Sequence, residues 1–443
     1  MNQPSIIKAI IIILLIPFTT LLAAYVIKPD GTLTLQTTQD STTPQPPDDE
    51  NNQMVNAVSI KIFGAIGDGI TDDTLAIQNA INSESKVYFP AGRYKTTNSI
   101  YPKSNSVLIS DNATIYYTRS TIVSVLEPAF FFDQVDNIKM IGHWIFEGNS
   151  PNSKFNKATS SPDQTYTLGL KIKRDCSDIY IESLEGFNFT AGVMEIGEDH
   201  AYNISSKNIT VDKIKVYNCW NAPLAITSGT NIHFKNVETF GAVSNSNYAQ
   251  IGFDIEVNNI GDTLENIQID KLVTHNNNVG FQILTMSQAQ KGITINDIAS
   301  FDNNENGVNL LNATDFNIIN ANIYNNRGAG LFLEGTFKNI SLDSGNLFNN
   351  RNHGVLAQMD ASRGIAVSSE NLNLGIDIYE NHGYGILLSG TNSYPVKKFT
   401  CNGKIYDNQD NKTQLTGIDV QENVLDININ AEVYGNKYFQ ILK

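Results

Sequence analysis

Asp254 and Glu256 stand two residues apart in the run Ile251-Gly-Phe-Asp-Ile-Glu-Val-Asn258. If that run is extended, alternation places Phe253, Ile255 and Val257 on one face and both acids on the other, with their Cα atoms ~7 Å apart. Side-chain rotation from there spans the carboxyl separations of ~5.5 Å and ~6.5 to 9.5 Å that serve retaining and inverting glycosidic chemistry. Mutual repulsion raises the pKa of one member of such a pair, so a single strand offers an acid and a base. The plainer alternative is a solvated acidic strand face.

The element that must position the pair is a repeat. Gly252, Gly280, Gly307, Gly330, Gly354, Gly385 and Gly417 mark successive units 28, 27, 23, 24, 31 and 32 residues apart, a drifting period typical of solenoids. Each unit holds short runs of Ile, Val, Phe and Tyr punctuated by Asn, Asp and Gly, with no helical periodicity and no fixed leucine consensus. Coils of three short strands stacked at the ~4.8 Å strand spacing satisfy that pattern. The expected fold is all-β, a right-handed parallel β-helix.

Aligning the coils by their inward apolar residues gives one outward column of Lys171, Glu195, Ala225, Asp254, Gln282, Asn309, Phe332, Leu356, Leu387 and Asp419. A second column, two residues on, holds Lys173, Gly197, Thr227, Glu256, Leu284, Leu311, Glu334, Gln358, Ser389 and Gln421. Asp254 and Glu256 are the candidate catalytic residues. Lys171, Lys173, Glu195, Gln282 and Asn309 are candidate substrate contacts, with Arg174 a further donor and Tyr248 and Trp220 as stacking aromatics. His275 is placed either as a proton shuttle one coil away or as a hydrogen-bonded turn histidine. Asn277, Asn304, Asn326, Asn350 and Asn381 are expected to stack in register as structural amides.

Residues 1–28 include the apolar stretch Ala9 to Ile27, flanked by Lys8 and Lys28, which suits a membrane anchor or a signal peptide and sends the rest of the chain out of the cytoplasm. Residues 29–56, rich in Thr, Gln, Pro and Asp, read as a disordered tether. The folded part is expected over residues 57–443. At its start Gly67 and Gly69 make a turn, Thr71 or Asp72 caps a helix, and Ile77, Ala80 and Ile81 form the stripe by which that helix closes the open end of the solenoid. Cys176, Cys219 and Cys401 match no metal-ligand spacing and read as buried thiols. The formal charge of -15 argues against nucleic acid as a partner.

The run FGAIGDGITDDTLAIQNAI followed by VYFPAGRY, within about residues 60 to 95, resembles the opening signature of the pectate lyase superfamily, the β-helix group with rhamnogalacturonase-like and epimerase-like domains. That resemblance implies a polysaccharide substrate, cleaved by hydrolysis or elimination or epimerised, although some phage tailspikes share the signature. Gly252-Phe-Asp254 is similar to the Gly-Phe-Asp of secreted mannuronan C5-epimerases, but Ile255-Glu256 stands where that family has Pro-His. The residues assign no metal site and no firm cofactor. A Ca²⁺ bridging Asp254, Glu256 and a sugar carboxylate is the one ion they suggest, since such oxygen ligands suit calcium. The expected activity is therefore hydrolase or lyase action on an extracytoplasmic polysaccharide, the alternatives being uronate C5-epimerisation and a non-catalytic carbohydrate-binding solenoid.

Overall fold

The computed structural model describes residues 24–27, 33–36, 56–118, 127–149, 167–197, 205–242, 250–257, 261–285, 290–359 and 368–442. The chain divides into two units, residues 1–55 and 56–443. In the first, Ala24–Ile27 pairs antiparallel with Leu33–Gln36. The segment read as a structureless tether thus contributes a strand, for which its Leu-Thr-Leu-Gln alternation is suited. Residues 1–23, most of the expected anchor, lie outside the described residues. Among the described residues no helix is long and apolar enough to cross a membrane.

The second unit is a parallel β-helix. A sheet of 12 strands runs from Glu127–Phe132 to Phe439–Leu442, taking one short strand from each coil. Where three short strands per coil were expected, the other two fuse into one long strand, such as Leu264–His275, Gln290–Phe301 and Thr314–Tyr324. The reason is visible in Leu264–His275: Ile267, Ile269 and Leu272 are buried, while the successive residues Asp270 and Lys271 both face out. That break in alternation turns the corner without interrupting the ladder. Later the strand does split, Ser369–Leu374 and Asp377–Tyr379 both pairing with Lys338–Phe348.

The marking glycines sit where there is no room for a side chain. A Cβ on Gly252 would lie 2.4 Å from Asn277 Nδ2 and 2.6 Å from the Gly280 carbonyl oxygen, and one on Gly280 would lie 2.5 Å from that of Gly307. What crowds them is a buried amide ladder of Asn277, Asn303, Asn326, Asn350 and Asn381, continued by Gln414 and Asn436. Each amide oxygen accepts from the preceding coil, as Asn326 Oδ1 does from Asn303 N (3.1 Å) and Nδ2 (2.8 Å). Its member in the third coil is Asn303, not Asn304, which is exposed. Asn303→Leu should strand the Asn277 backbone N–H, now bonded to Asn303 Oδ1 at 3.0 Å, along with its neighbours' amide groups. A loss of about 2 to 5 kcal/mol is expected by denaturant unfolding, against about 0.5 kcal/mol or less for Asn304→Ala.

A second column lies outside the long strands. The rings of Phe187, Tyr217, Phe240, His275, Phe301, Tyr324, Phe348, Tyr379, Tyr406 and Tyr434 stack with centroids 4.7 to 5.2 Å apart and planes within 18°. The strand spacing imposes that separation.

The helix Thr74–Ser83 covers the N-terminal end with Ile77, Ala80 and Ile81 buried in the core. Its N-cap residue is Asp73 rather than Thr71 or Asp72. The Asp73 carboxylate instead fastens the preceding turn, accepting from the backbone N–H groups of Ile66 (2.6 Å) and Gly67 (3.0 Å), while Asp72 accepts from Thr74 N (3.0 Å). Cys176, Cys219 and Cys401 are free and buried, and burial pushes their thiols up to about 11, 12 and 12.

Candidate active site

The outward face of the 12-stranded sheet carries the candidate residues. Backbone pairing sets Phe131, Lys171, Glu195, Ala225, Asp254, Gln282, Asn309 and Phe332 side by side on successive strands. Glu256 lies beside Leu284, then Leu311 and Glu334, in the neighbouring column. Phe253, Ile255 and Val257 fill the core, so the strand Ile251–Val257 turns both acids outward.

Outward does not mean solvated here. Asp254 is only 7% exposed, as are Gln282 and Asn309, whereas Ala225 and Phe332 on the same column are half-buried. Gln282 Nε2 donates to Asp254 Oδ1 at 3.3 Å, Asn309 Nδ2 to Gln282 Oε1 at 3.4 Å, and Asn306 Nδ2 to Asn309 Oδ1 at 3.0 Å. Burial, with the Glu256 carboxylate beside it, raises the Asp254 pKa well above the ordinary aspartate value, and the single amide from Gln282 offsets only part of this. Asp254 is therefore a buried acid held toward its protonated form, not the exposed surface carboxylate expected from alternation alone. Glu256 is partly exposed.

The raised pKa carries a stability consequence. The folded protein binds the Asp254 proton more tightly than the unfolded chain, so its contribution is whole below about 3.8 and is lost as pH climbs from there through the raised value. Asp254→Asn, which resembles the protonated acid, should melt above the native protein at neutral pH. The gain should vanish below about 3.8, and scanning calorimetry across that range checks it.

The other candidates are placed differently from expectation. Lys171 is buried and its Nζ lies 2.5 Å from Glu195 Oε1; opposite charges on adjacent rungs pair with each other, so this cation is committed within the protein. Ala225 separates that pair from Asp254. Arg174 is bound through two nitrogens to Asp133, at 3.0 and 3.2 Å, and Lys173 holds its ammonium 5.8 Å from the Phe131 ring centre. Tyr248 lies outside the described residues. His275 ends the strand Leu264–His275 stacked between Phe240 and Phe301, with Nδ1 2.8 Å from Asn276 Nδ2 and Nε2 3.7 Å from Glu238 Oε1, the hydrogen-bonded histidine at a turn rather than a shuttle to Asp254. Tyr217 belongs to the same stack.

Calcium takes about 6 to 8 oxygens, of which the two carboxylates would supply at most four, and among the described residues no group of three or more His, Cys, Asp or Glu gathers to hold a metal.

Two further aromatic residues, Tyr101 and Phe131, extend this face at its N-terminal end. Ile100 bridges to Phe130, which sets Tyr101 beside Phe131, their ring centres 5.7 Å apart. No marking glycine precedes either, so neither coil stood out. The aromatic residues on the outward side of buried Ile100 and Phe130 were the available signal.

Among known proteins, the chain is 32% identical over 155 residues to the preneck appendage protein of Bacillus phage PZA, covering 33% of this chain and 17% of that one. It is 27% identical over 216 residues to the exo-poly-alpha-D-galacturonosidase of Dickeya chrysanthemi (43% and 35%). It is 25% identical over 315 residues to mannuronan C5-epimerase AlgE5 of Azotobacter vinelandii (68% and 25%). The chain thus spans about a sixth to a third of the length of these relatives. The solved A-module of mannuronan C5-epimerase AlgE4 from the same bacterium superposes with a TM-score of 0.59 at 15% identity, over 87% of this chain and all of that one, which is a likeness of fold. Residues 57–254 match the family model described as rhamnogalacturonase A/epimerase, pectate lyase-like. That match runs through the capping turn to Asp254 itself and takes in a little under half of the chain, so over residues 57–254 the chain is similar to the pectate lyase-like (rhamnogalacturonase A/epimerase) family, in keeping with its parallel β-helix.

Proposed function

We propose that the protein hydrolyses a glycosidic bond in an extracytoplasmic polysaccharide bound along the outward column, with Asp254 as general acid and Glu256 as its partner carboxylate. Asp254 gives its proton to the glycosidic oxygen as the bond to the anomeric carbon breaks and the electron pair leaves on that oxygen. Water adds its hydroxide to the anomeric carbon and its proton goes to Glu256, or Glu256 first attacks that carbon and the ester is then hydrolysed. The observation that carries this reading is the burial of Asp254 beside Glu256, which supplies a protonated acid and a second carboxylate on one strand. Elimination or epimerisation needs a group to neutralise a uronate carboxylate, and the buried cation on this column is already paired with Glu195. The net charge of -15 likewise favours a neutral or amino-sugar polymer over a polyuronate.

A second reading, binding without turnover, is supported by the hydrogen-bonded continuity of Asp254, Gln282, Asn309 and Asn306, which would serve a polar contact strip equally well. The full chain incubated with neutral, amino-sugar and acidic polysaccharides distinguishes the readings. New reducing ends on a neutral or amino-sugar polymer support hydrolysis, an unsaturated uronate product would assign elimination, and retention without product would assign binding alone.

A further inference from the structure

We propose that Tyr101, backed by Phe131, forms a distal subsite for a neutral pyranose unit of the glycan, at the N-terminal end of the outward column; this rests on the reading above that a glycan lies along that column. Tyr101 is 49% exposed although Ile100 beside it is fully buried, so its ring is displayed on the outward column rather than in the core. It is held there on both sides. Gln78 of the capping helix accepts from Tyr101 N (2.8 Å) and donates to its carbonyl oxygen (3.0 Å), while the Phe131 ring packs against it at 5.7 Å. An aromatic ring fixed in place loses little freedom when a sugar stacks on it.

The wall beside the ring has the composition that hydroxyl groups match. An open hollow of about 460 Å³ is lined by Tyr101 and Leu75 with Asp72, Thr74, Asn82 and Asn98, a carboxylate acceptor, amides and a hydroxyl beside two apolar faces. Asp72 is fixed by Thr74 Oγ1 (2.5 Å) and Thr97 Oγ1 (2.6 Å), and its charge disfavours a uronate in the hollow. Tyr101, Phe131, Lys171, Glu195, Ala225 and Asp254 lie on successive rungs, so the subsite is ~24 Å from the acid pair. A polymer reaches both, and a disaccharide cannot.

The test measures binding by affinity electrophoresis and calorimetry on the full chain carrying Asp254→Asn, with galactomannan, xyloglucan and polygalacturonate as probes and mannobiose as the short control. Tyr101→Ala should weaken retention of a neutral polymer about five- to tenfold, Tyr101→Phe should restore it, and mannobiose affinity should not change. Equal polymer retention by Tyr101→Ala, an equal loss for mannobiose, retention of polygalacturonate alone, or no retention of any probe would each overturn the subsite. The hydrolase reading fails separately: a Tyr101-dependent polymer that the native protein leaves uncut sinks it while the subsite stands, and Asp254-dependent cutting with no Tyr101 effect does the reverse.

Discussion

Glu256→Gln and Asp254→Asn should each lower glycan turnover by about two to four orders of magnitude, the usual worth of a positioned proton-transfer group, while both proteins remain folded. Asp254 sits in a column whose neighbours are Ala225 and Gln282, and an amide in its place keeps an oxygen for the Gln282 N–H. Loss of turnover in that variant thus cannot be ascribed to loss of fold, since its melting temperature at neutral pH is expected to rise. Glu334→Gln and Asp419→Asn place the same change on distant coils of the two columns and should leave turnover within about twofold of native, as substitutions away from the reacting atoms do. Initial-rate measurements of reducing-end release decide the matter. Equal small effects at all four positions would leave the binding-module reading standing.

Ile77→Asp should unfold or aggregate the protein. Ile77 is fully buried where the helix Thr74–Ser83 meets the core, and an unpaired carboxylate there costs several kcal/mol, about 3 or more. Displacing the helix would also bare the edges of the first coil, a template for pairing with other chains. Leu75→Asp makes the same chemical change on the opposite face, where Leu75 is 71% exposed, and should cost no more than about 0.5 kcal/mol. Soluble yield and thermal unfolding of the pair compare a core-covering face with a solvent face of one helix. A native melting curve for Ile77→Asp would show that the helix does not seal the solenoid.

The fold was legible because its marks are local. Seven glycines lie where neighbouring coils leave no space for a Cβ, and strict alternation around Phe253, Ile255 and Val257 set the register that places Asp254 between Ala225 and Gln282. What was not legible depends on partners one coil away. Asn303 and Asn304 are indistinguishable in composition, and only the corner geometry selects the first for the amide ladder. That His275 stacks as well as bonding at a turn shows only when Phe240 and Phe301, 35 and 26 positions away in sequence, are brought above and below its ring. Lys171 and Glu195 stood on adjacent rungs of the aligned column, yet assigning Lys171 to a sugar overlooked the nearer carboxylate. The burial of Asp254 depends on neighbours from other coils, Gln282 among them, which alternation within a single strand does not reveal.

The hydrolase proposal stands on Asp254 as an acid kept protonated by burial and by Glu256. A ¹³C-carboxyl titration of the full chain, with the Asp254 signal assigned by its absence in Asp254→Asn, tests this without any substrate. The expected midpoint lies well above the ordinary aspartate value of 3.8 and moves downward in Glu256→Gln as the neighbouring charge is removed. A midpoint at or below 3.8 in the native protein, unmoved by Glu256→Gln, would contradict it.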